Sequence, residues 1–590
     1  MELSGIFAIF AHNFWQSYHF LQSVSMSKMT TDNNKIVIYQ MLVRLFGNTN
    51  PTRRVNGTLA ENGCGKMNDI TASALRSIRQ LGCNWVWYTG LLQQATQTDW
   101  SAIGLPRQNP HVVKGVAGSP YAITDYYSIS PDLAVNPADR MAEFDALVER
   151  THKARLKLII DFVPNHVARQ YHSTLKPANV RDLGQDDDTS KAFSPQNNFY
   201  YIPGTPFAPW FDLGSGDDRY VENPARVTGN DCFTPSPGNN DWYETVKLNY
   251  GIDYQCFGQR CFDPVPSTWT KMRDILLYWA GKGVDGFRCD MAHMVPVEFW
   301  QWAISQVKKA FPGVIFIAEI YEPAIYRAYI GAGFDYLYDK VGLYDTLKGV
   351  IRWERPASDI TGCWQALGDI QGHMLNFLEN HDEQRIASGF FAGSPEKAFP
   401  GVATGALMGR SPYMIYFGQE LGERGMDEEG YSGRDGRTTI FDYWSLPKIA
   451  QWHGSGDAWS ITGLGKEERK VRGFYRTLFG TVAAHPVFTS GKFFDLEYRQ
   501  FDNPDFDTQR LYAFLRYDSR ERALVVANFS PTTQKVKVRI PREAWDELKV
   551  RGKKLNVTDL FSGGTQQIPY LPEEPLDVTV GPDTVTVLMF

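Results

Sequence analysis

Val284-Asp-Gly-Phe-Arg-Cys-Asp290 and, one element later, Val314-Ile-Phe-Ile-Ala-Glu319 decide how this chain is read. Each is an apolar run that ends in a carboxylate, and Met374-Leu-Asn-Phe-Leu-Glu-Asn-His-Asp382 repeats the pattern. Near-continuous apolar runs mark strands buried on both faces of a parallel sheet. In a closed parallel barrel, reactive side chains stand at the C-terminal ends of such strands. Three carboxylates on one rim repel one another, so the pattern suits chemistry that passes through a cationic transition state, as glycosidic bond cleavage does.

Working outward, strand and helix signals alternate from Lys35 onward, which predicts an α/β architecture with a parallel sheet. Candidate strands are Ile36–Met41, Asn84–Tyr88, Lys157–Phe162, Val284–Cys289, Val314–Ile320, Phe334–Tyr338, Met374–Leu378 and Tyr413–Phe417. Eight is the number that closes a (β/α)8 TIM barrel. Between them, Met141, Phe144, Leu147 and Val148 share one helical face, as do Met272, Ile275, Leu276 and Trp279. Leu75, Ile78 and Leu81 read likewise, with Asp69 as the expected cap.

The third strand is followed by roughly a hundred residues rich in Pro, Gly, Asn and Asp, too long for a structureless loop in a compact domain. An irregular inserted subdomain over 167–266 is therefore expected, with the barrel in 35–166 and 267–484. A second long connection, from Glu420 to about Lys466, carries Arg434, Asp435, Arg437, Trp444 and Trp452, which either touch substrate or hold the loop. From about His485 to Phe590 short alternating strands predict a separate C-terminal all-β sandwich. Residues 1–34 read as a disordered N-terminal extension. Their apolar run Ile6–Ala11 is too short to span a membrane, and no lysine precedes Lys28, so a cytoplasmic protein is expected.

Composition narrows the partners. Sixteen Trp, 29 Tyr and 36 Phe are more than cores usually need, and such rings stack on the apolar faces of sugars. A net charge of −6 without a basic stripe excludes a nucleic-acid backbone as the expected partner. Seven cysteines in 590 residues fit reduced thiols, and the spacing of Cys232, Cys256 and Cys261 is not that of a metal site.

Residues i and i+2 of a strand face the same side, so Arg288 and Asp290 point together. A guanidinium beside a carboxylate favours its ionised form and fixes its orientation, which a nucleophile at an anomeric carbon requires. Glu319 follows Phe316-Ile-Ala318, and apolar neighbours raise a carboxyl's pKa, making it a proton donor. Asp382 supplies a third carboxylate able to oppose positive charge. Asp161, in Asp161-Phe-Val-Pro-Asn165-His166, reads as a loop anchor, and His166 as a hydrogen-bonding group.

In these segments the chain resembles the α-amylase family, glycoside hydrolase family 13. The likeness rests on Asp161–His166, Gly286–His293, Phe316–Glu319 and Phe377–Asp382, in order and at strand ends, and runs from about Lys35 to the C-terminus. It implies Asp290 as nucleophile, Glu319 as general acid/base and Asp382 as transition-state stabiliser. It assigns Arg288 to orienting the nucleophile, and His166 and His381 to sugar hydroxyls. Tyr121 looks like the family's stacking tyrosine. Many members carry Lys-His where this chain has His293-Met294, which puts the leaving-side contacts at His293 and the calcium partner in question. Asn165 matches a common calcium ligand, but its usual partners have no counterpart that can be placed in the subdomain, so it reads either as a loop-fixing amide or as a ligand of calcium, the one cofactor to test. The expected activity is retaining hydrolysis of α-1,4-glucosidic bonds in starch, glycogen or maltooligosaccharides. A transglycosylase and a non-catalytic glucan-binding protein are the rival readings; neither nucleic acid nor membrane is an expected partner.

Overall fold

The computed structural model describes residues 35–590 apart from 427–430, 432, 455–458, 551, 553 and 573. The N-terminal extension expected over 1–34 lies outside the described residues. Eight parallel strands make the barrel: β1 (Val37–Leu42), β2 (Trp85–Thr89), β3 (Lys157–Phe162), β4 (Gly286–Cys289), β5 (Ile315–Ala318), β6 (Tyr336–Tyr338), β7 (Met374–Leu375) and β8 (Tyr413–Tyr416). Neighbours run in sequence order from β1 to β7, and β8 pairs with β1. A parallel bridge between Asn376 and Tyr413 closes the ring. All six residues of β1 and all five of β2 are buried, as strands covered on both faces should be.

Helices cover the outside. In α1 (Ala72–Gln80) Leu75 and Ile78 are buried; in α2 (Arg140–Lys153) Phe144, Leu147 and Val148; in α3 (Ser267–Gly281) Met272, Ile275, Leu276 and Trp279. The cap of α1 is Thr71, whose hydroxyl accepts from the Ala74 amide, and not Asp69. Asp69 instead accepts from the Lys66 amide at the end of a preceding turn. A shorter side chain closer to the first helical residue takes the position.

Between β3 and β4 the chain forms short antiparallel pairs: His166–Ala168 with Thr245–Lys247, Tyr201–Ile202 with Ala225–Arg226, and Ile252–Asp253 with Gln259–Arg260. With so little regular structure, buried polar groups hold it. Glu222 accepts from Arg169 (2.8 Å), Arg226 (2.7 Å) and Tyr220 (2.8 Å). Burial works against that carboxylate, but Arg169 and Arg226 outweigh it and bring Glu222 down to about 2.

The C-terminal region holds two antiparallel sheets. One has the order β9 (Lys492–Asp495), β10 (Leu511–Tyr517), β11 (Arg522–Asn528), β16 (Thr584–Met589), β13 (Lys554–Asp559) and β14 (Thr565–Pro569). The other pairs β12 (Gln534–Val538) with β15 (Leu576–Val580). Leu511, Ala513 and Leu515 of β10 join Val536, Val538, Val578 and Val580 in the core between the sheets. The alternate residues Tyr512 and Phe514, with Val525 and Val587, belong to the barrel's own core. The β region thus packs against the barrel through one face of its large sheet. Period-2 alternation gives its large sheet two buried faces, one of them against the barrel. Among the described residues, no helix is long and apolar enough to cross a membrane.

Candidate active site

Strand register sets the site. Arg288 lies opposite Asp161 across β3 and β4, and Cys289 opposite Ala318 across β4 and β5. Asp290 and Glu319 thus leave adjacent strand ends at the same level. Their backbones continue the ladder: Asp290 N–H donates to Phe162 O (2.9 Å), and Glu319 N–H to Cys289 O (3.1 Å).

Arg288, fully buried, is the hub. Nη1 donates to Asp290 Oδ1 at 2.8 Å and reaches Asp161 Oδ1 at 3.4 Å; Nη2 lies 2.7 Å from Glu319 Oε2. Nε donates to the Tyr338 hydroxyl at 3.1 Å. The rings of Trp87 and Tyr121, both 5.3 Å from its central carbon, wall it off from water. Glu319 also accepts from the Met291 amide (2.8 Å) and from the Tyr321 hydroxyl (2.5 Å). Asp161 accepts from Trp87 Nε1 at 3.1 Å and from the Gly90 amide, the anchoring contacts expected of it.

Asp382 arrives differently. The regular part of β7 ends at Leu375, shorter than the expected Met374–Leu378, and Asp382 stands on irregular chain beyond it. Asn380 Oδ1 accepts from the amides of Asp382 (2.8 Å) and Glu383 (2.9 Å), and this turn holds the carboxylate in place. His381 Nε2 lies 3.0 Å from Asp382 Oδ2 and 2.5 Å from the Tyr121 hydroxyl, while Gln40 Nε2 sits 2.8 Å from His381 Nδ1. The Tyr121 ring stacks on His381 with centroids 5.3 Å apart.

The electrostatics divide the carboxylates. Asp382 is 39% exposed at its side chain. Burial there is outweighed by His381, then Arg288 and Arg437, which bring it down to about 2. Asp290 goes the other way: burial first, then the charge of Glu319, raises it well above the ordinary carboxylate range, and Arg288 offsets this only in part. The sequence argument expects the guanidinium to keep Asp290 ionised, but Arg288 serves two other carboxylates as well. With burial and the Glu319 charge both acting on it, Asp290 holds its proton more tightly than an ordinary carboxylate.

The remaining predicted residues are placed differently. His166 is 3% exposed, its ring edge-on to Trp242 at 5.2 Å. Burial, then the ammonium groups of Lys247 and Lys114, lowers its pKa to about 3, so it is a neutral hydrogen-bonding group. His293 is half-buried near the Tyr321 ring, with centroids 6.5 Å apart. Asn165 is buried against Lys247 and Gly229. Trp444 and Trp452 are buried in the core and not offered to substrate, while Arg437 and Asp435 pair with each other. Sequence reasoning missed Gln40, Trp87, Tyr321 and Tyr338. Gln40 alone had a signal, as the one amide inside the otherwise apolar run of β1.

This arrangement can protonate a leaving oxygen from one carboxyl, attack the same carbon with another, and oppose positive charge with a third. Two sequence profiles match the chain: "Alpha amylase, catalytic domain" over residues 40–313 and "Alpha amylase, C-terminal all-beta domain" over 501–590. The protein named alpha-amylase 3 of Dictyoglomus thermophilum is 24% identical over 393 residues, covering 63% of this chain and 68% of its own. An alpha-1,4-glucan:maltose-1-phosphate maltosyltransferase of Pseudomonas aeruginosa is 39% identical over 124 residues, 21% of this chain and 15% of its own length. Among solved structures, a maltogenic alpha-amylase from Thermotoga neapolitana superposes with a TM-score of 0.59 at 19% identity, covering 95% of this chain and 99% of that one.

Proposed function

We propose that this chain, which belongs to the α-amylase family, is a retaining α-glycoside hydrolase that cleaves α-1,4-glucosidic bonds in starch, glycogen or maltooligosaccharides. The observation that carries the reading is the single buried guanidinium of Arg288 bridging Asp290 and Glu319 at neighbouring strand ends. Family membership supports action on α-glucans; the reaction itself is inferred from these residues.

The reaction needs a proton on Glu319 and Asp290 ionised against Arg288. Glu319 gives its proton to the glycosidic oxygen as Asp290 Oδ attacks the anomeric carbon. The C–O bond to the leaving sugar breaks, and an Asp290–glycosyl ester forms. Glu319, now a carboxylate, takes a proton from water, whose oxygen displaces Asp290 and restores both groups. Asp382, ionised at neutral pH, faces the positive charge that develops on the sugar in each step. His381 and the neutral His166 supply hydrogen bonds to hydroxyls, and Tyr121 a ring beneath the sugar.

Incubation with maltoheptaose, followed over time by chromatography, tests the proposal. Hydrolysis gives only shorter sugars, and the first product carries the α-anomeric configuration by NMR. Products longer than the substrate would instead assign glucan transfer, the reading favoured by the short match to the maltosyltransferase. No turnover of any α-glucan would refute both.

A further inference from the structure

Asn165 is the position at which the sequence suggests calcium, and its surroundings do not fit a metal. Its Oδ1 already accepts a hydrogen bond from Lys247 Nζ at 2.9 Å. The same ammonium lies 2.5 Å from Asp231 Oδ1, the nearest carboxylate. Asn165 Nδ2 donates to the Gly229 carbonyl (2.7 Å), which fixes the amide so that only Oδ1 faces the cation. Lys247 is 2% exposed, so its charge is as enclosed as a bound ion's would be. Among the described residues no three His, Cys, Asp or Glu side chains come together as metal ligands.

The ammonium sits where two parts of the fold join. His166 and Lys247 are partners across the short strand pair that ties the end of β3 to the inserted segment. The Leu248 amide donates to Asn165 O (2.9 Å), and Asn165 Nδ2 lies 3.2 Å from His166 Nδ1. Gly229 completes the packing: a Cβ there would come within 2.4 Å of Thr245 Oγ1 and 2.9 Å of His166 Cβ. One positive charge thus gathers Asn165 and Asp231, and Asn165 in turn sets the ring of His166.

We propose that Lys247 is the resident cation of this junction, a positioning residue that stands where a metal ion would stand and fixes His166 through Asn165. The protein accordingly needs no calcium there, and the oxygens of Asn165 and Asp231 become open to an added cation only when the ammonium is removed. The catalytic part of the claim rests on the hydrolase reading; the stability part does not.

The test compares the whole protein with Lys247→Met, which keeps the stem and loses the charge, and Lys247→Arg, which keeps the charge. Melting temperatures are measured with EDTA, with added calcium and with methylammonium, and calcium binding is followed by calorimetry. The wild type should melt at one temperature in all these conditions and bind no calcium at this site. Lys247→Met should melt about 1–2 °C lower, less than for a fully buried pair in a chain this long because the Asp231 side chain is 40% exposed. Its KM for maltoheptaose should rise about tenfold with a smaller change in kcat, as for a residue acting through a ligand-holding side chain. Added calcium or methylammonium should restore part of both, and Lys247→Arg should lie between. A wild type that loses stability in EDTA or binds calcium at Asn165 overturns the proposal. So does a Lys247→Met variant unchanged in melting and KM, or one whose losses no cation repairs. If Lys247→Met does not fold, the wild-type chelator and calorimetry results still decide. Failure to turn over any glucan would count against the hydrolase reading and leave the melting results to judge this one.

Discussion

The two ends of the barrel each bury a guanidinium and surround it with opposite kinds of partner. At the C-terminal end, Arg288 meets the carboxylates of Asp161, Asp290 and Glu319. At the N-terminal end, Arg516 donates to the carbonyls of Met408 (2.6 Å), Val487 (2.9 Å) and Gly491 (2.8 Å). Lys35 beside it reaches the carbonyls of Ala406 and Gly409. Met408 and Gly409 directly follow the helix Phe399–Leu407, where aligned peptide dipoles present their negative end. Carbonyls cannot take up or release a proton, so that end is a fixed clasp between barrel and β region. Carboxylates can, so the partners of Arg288 can exchange protons where those of Arg516 cannot.

The comparison breaks first on activity. Asp290→Asn should lower kcat by about 10⁴-fold or more while the fold persists, since a group acting in concert with others is removed. Arg516→Met should leave kcat within about twofold of wild type, because carbonyl partners do no chemistry. Steady-state rates on maltoheptaose check both, and an Arg516→Met enzyme as inactive as Asp290→Asn would dissolve the distinction.

Stability sharpens it. Arg288→Met strands three buried carboxylates and should cost about 3–5 kcal/mol in urea unfolding. Arg516→Met leaves only carbonyls short of donors and should cost about 1–3 kcal/mol. Equal losses would mean that charge pairing is not what separates the two ends.

The pH dependences should also part. Because Asp290 is raised, the acid limb of kcat/KM should lie above the ordinary carboxylate range of about pH 4. Asp382 is lowered chiefly through His381, against burial, so His381→Gln should raise its pKa, a shift read from the NMR titration of the Asp382 carboxyl and not from the acid limb, which Asp290 sets. At the opposite end, burial and then Arg516 hold Lys35 well below the usual lysine value. Between that depressed value and about 10.4 the unfolded chain binds the extra proton, so stability rises with pH in this window. Lys35→Met lacks the effect. The stability of wild type relative to Lys35→Met should therefore grow as pH rises toward about 10, and a constant difference would show that Lys35 is not destabilised by its burial.

The smallest effect concerns one hydroxyl. Tyr321→Phe removes the donor to Glu319 Oε1 and should slow kcat about fivefold, the equivalent of about 1 kcal/mol for one hydrogen bond. No change would show that the Tyr321 contact plays no part in holding Glu319.

Much of the barrel's C-terminal end was legible in the chain because its residues belong to strands. Apolar runs ending at Asp290 and Glu319 located strand ends, and period 2 placed Arg288 beside Asp290. Asp382 was expected at the end of the seventh strand, but regular pairing stops at the bridge of Asn376 and Asp382 stands on irregular chain beyond it. The raised pKa at Asp290 was not legible, because it depends on burial and on the charge of Glu319 beside it, which Arg288 offsets only in part. Nor were Trp87 and Tyr338, ordinary aromatic residues of apolar runs until the barrel closes around Arg288.

The sequence by itself determined the eight strands, the parallel barrel, the β-rich C-terminal region and the order of the three carboxylates. Each of these follows from local periodicity and from where a polar residue interrupts an apolar run. Only the tertiary structure decided the partners of the buried cations. Lys247 finds Asn165 across 82 residues, Arg516 finds Met408 across 108, and the large C-terminal sheet turns one face into the barrel's core. A charge can be read from a sequence, but which oxygens surround it is settled by the packing that excludes water.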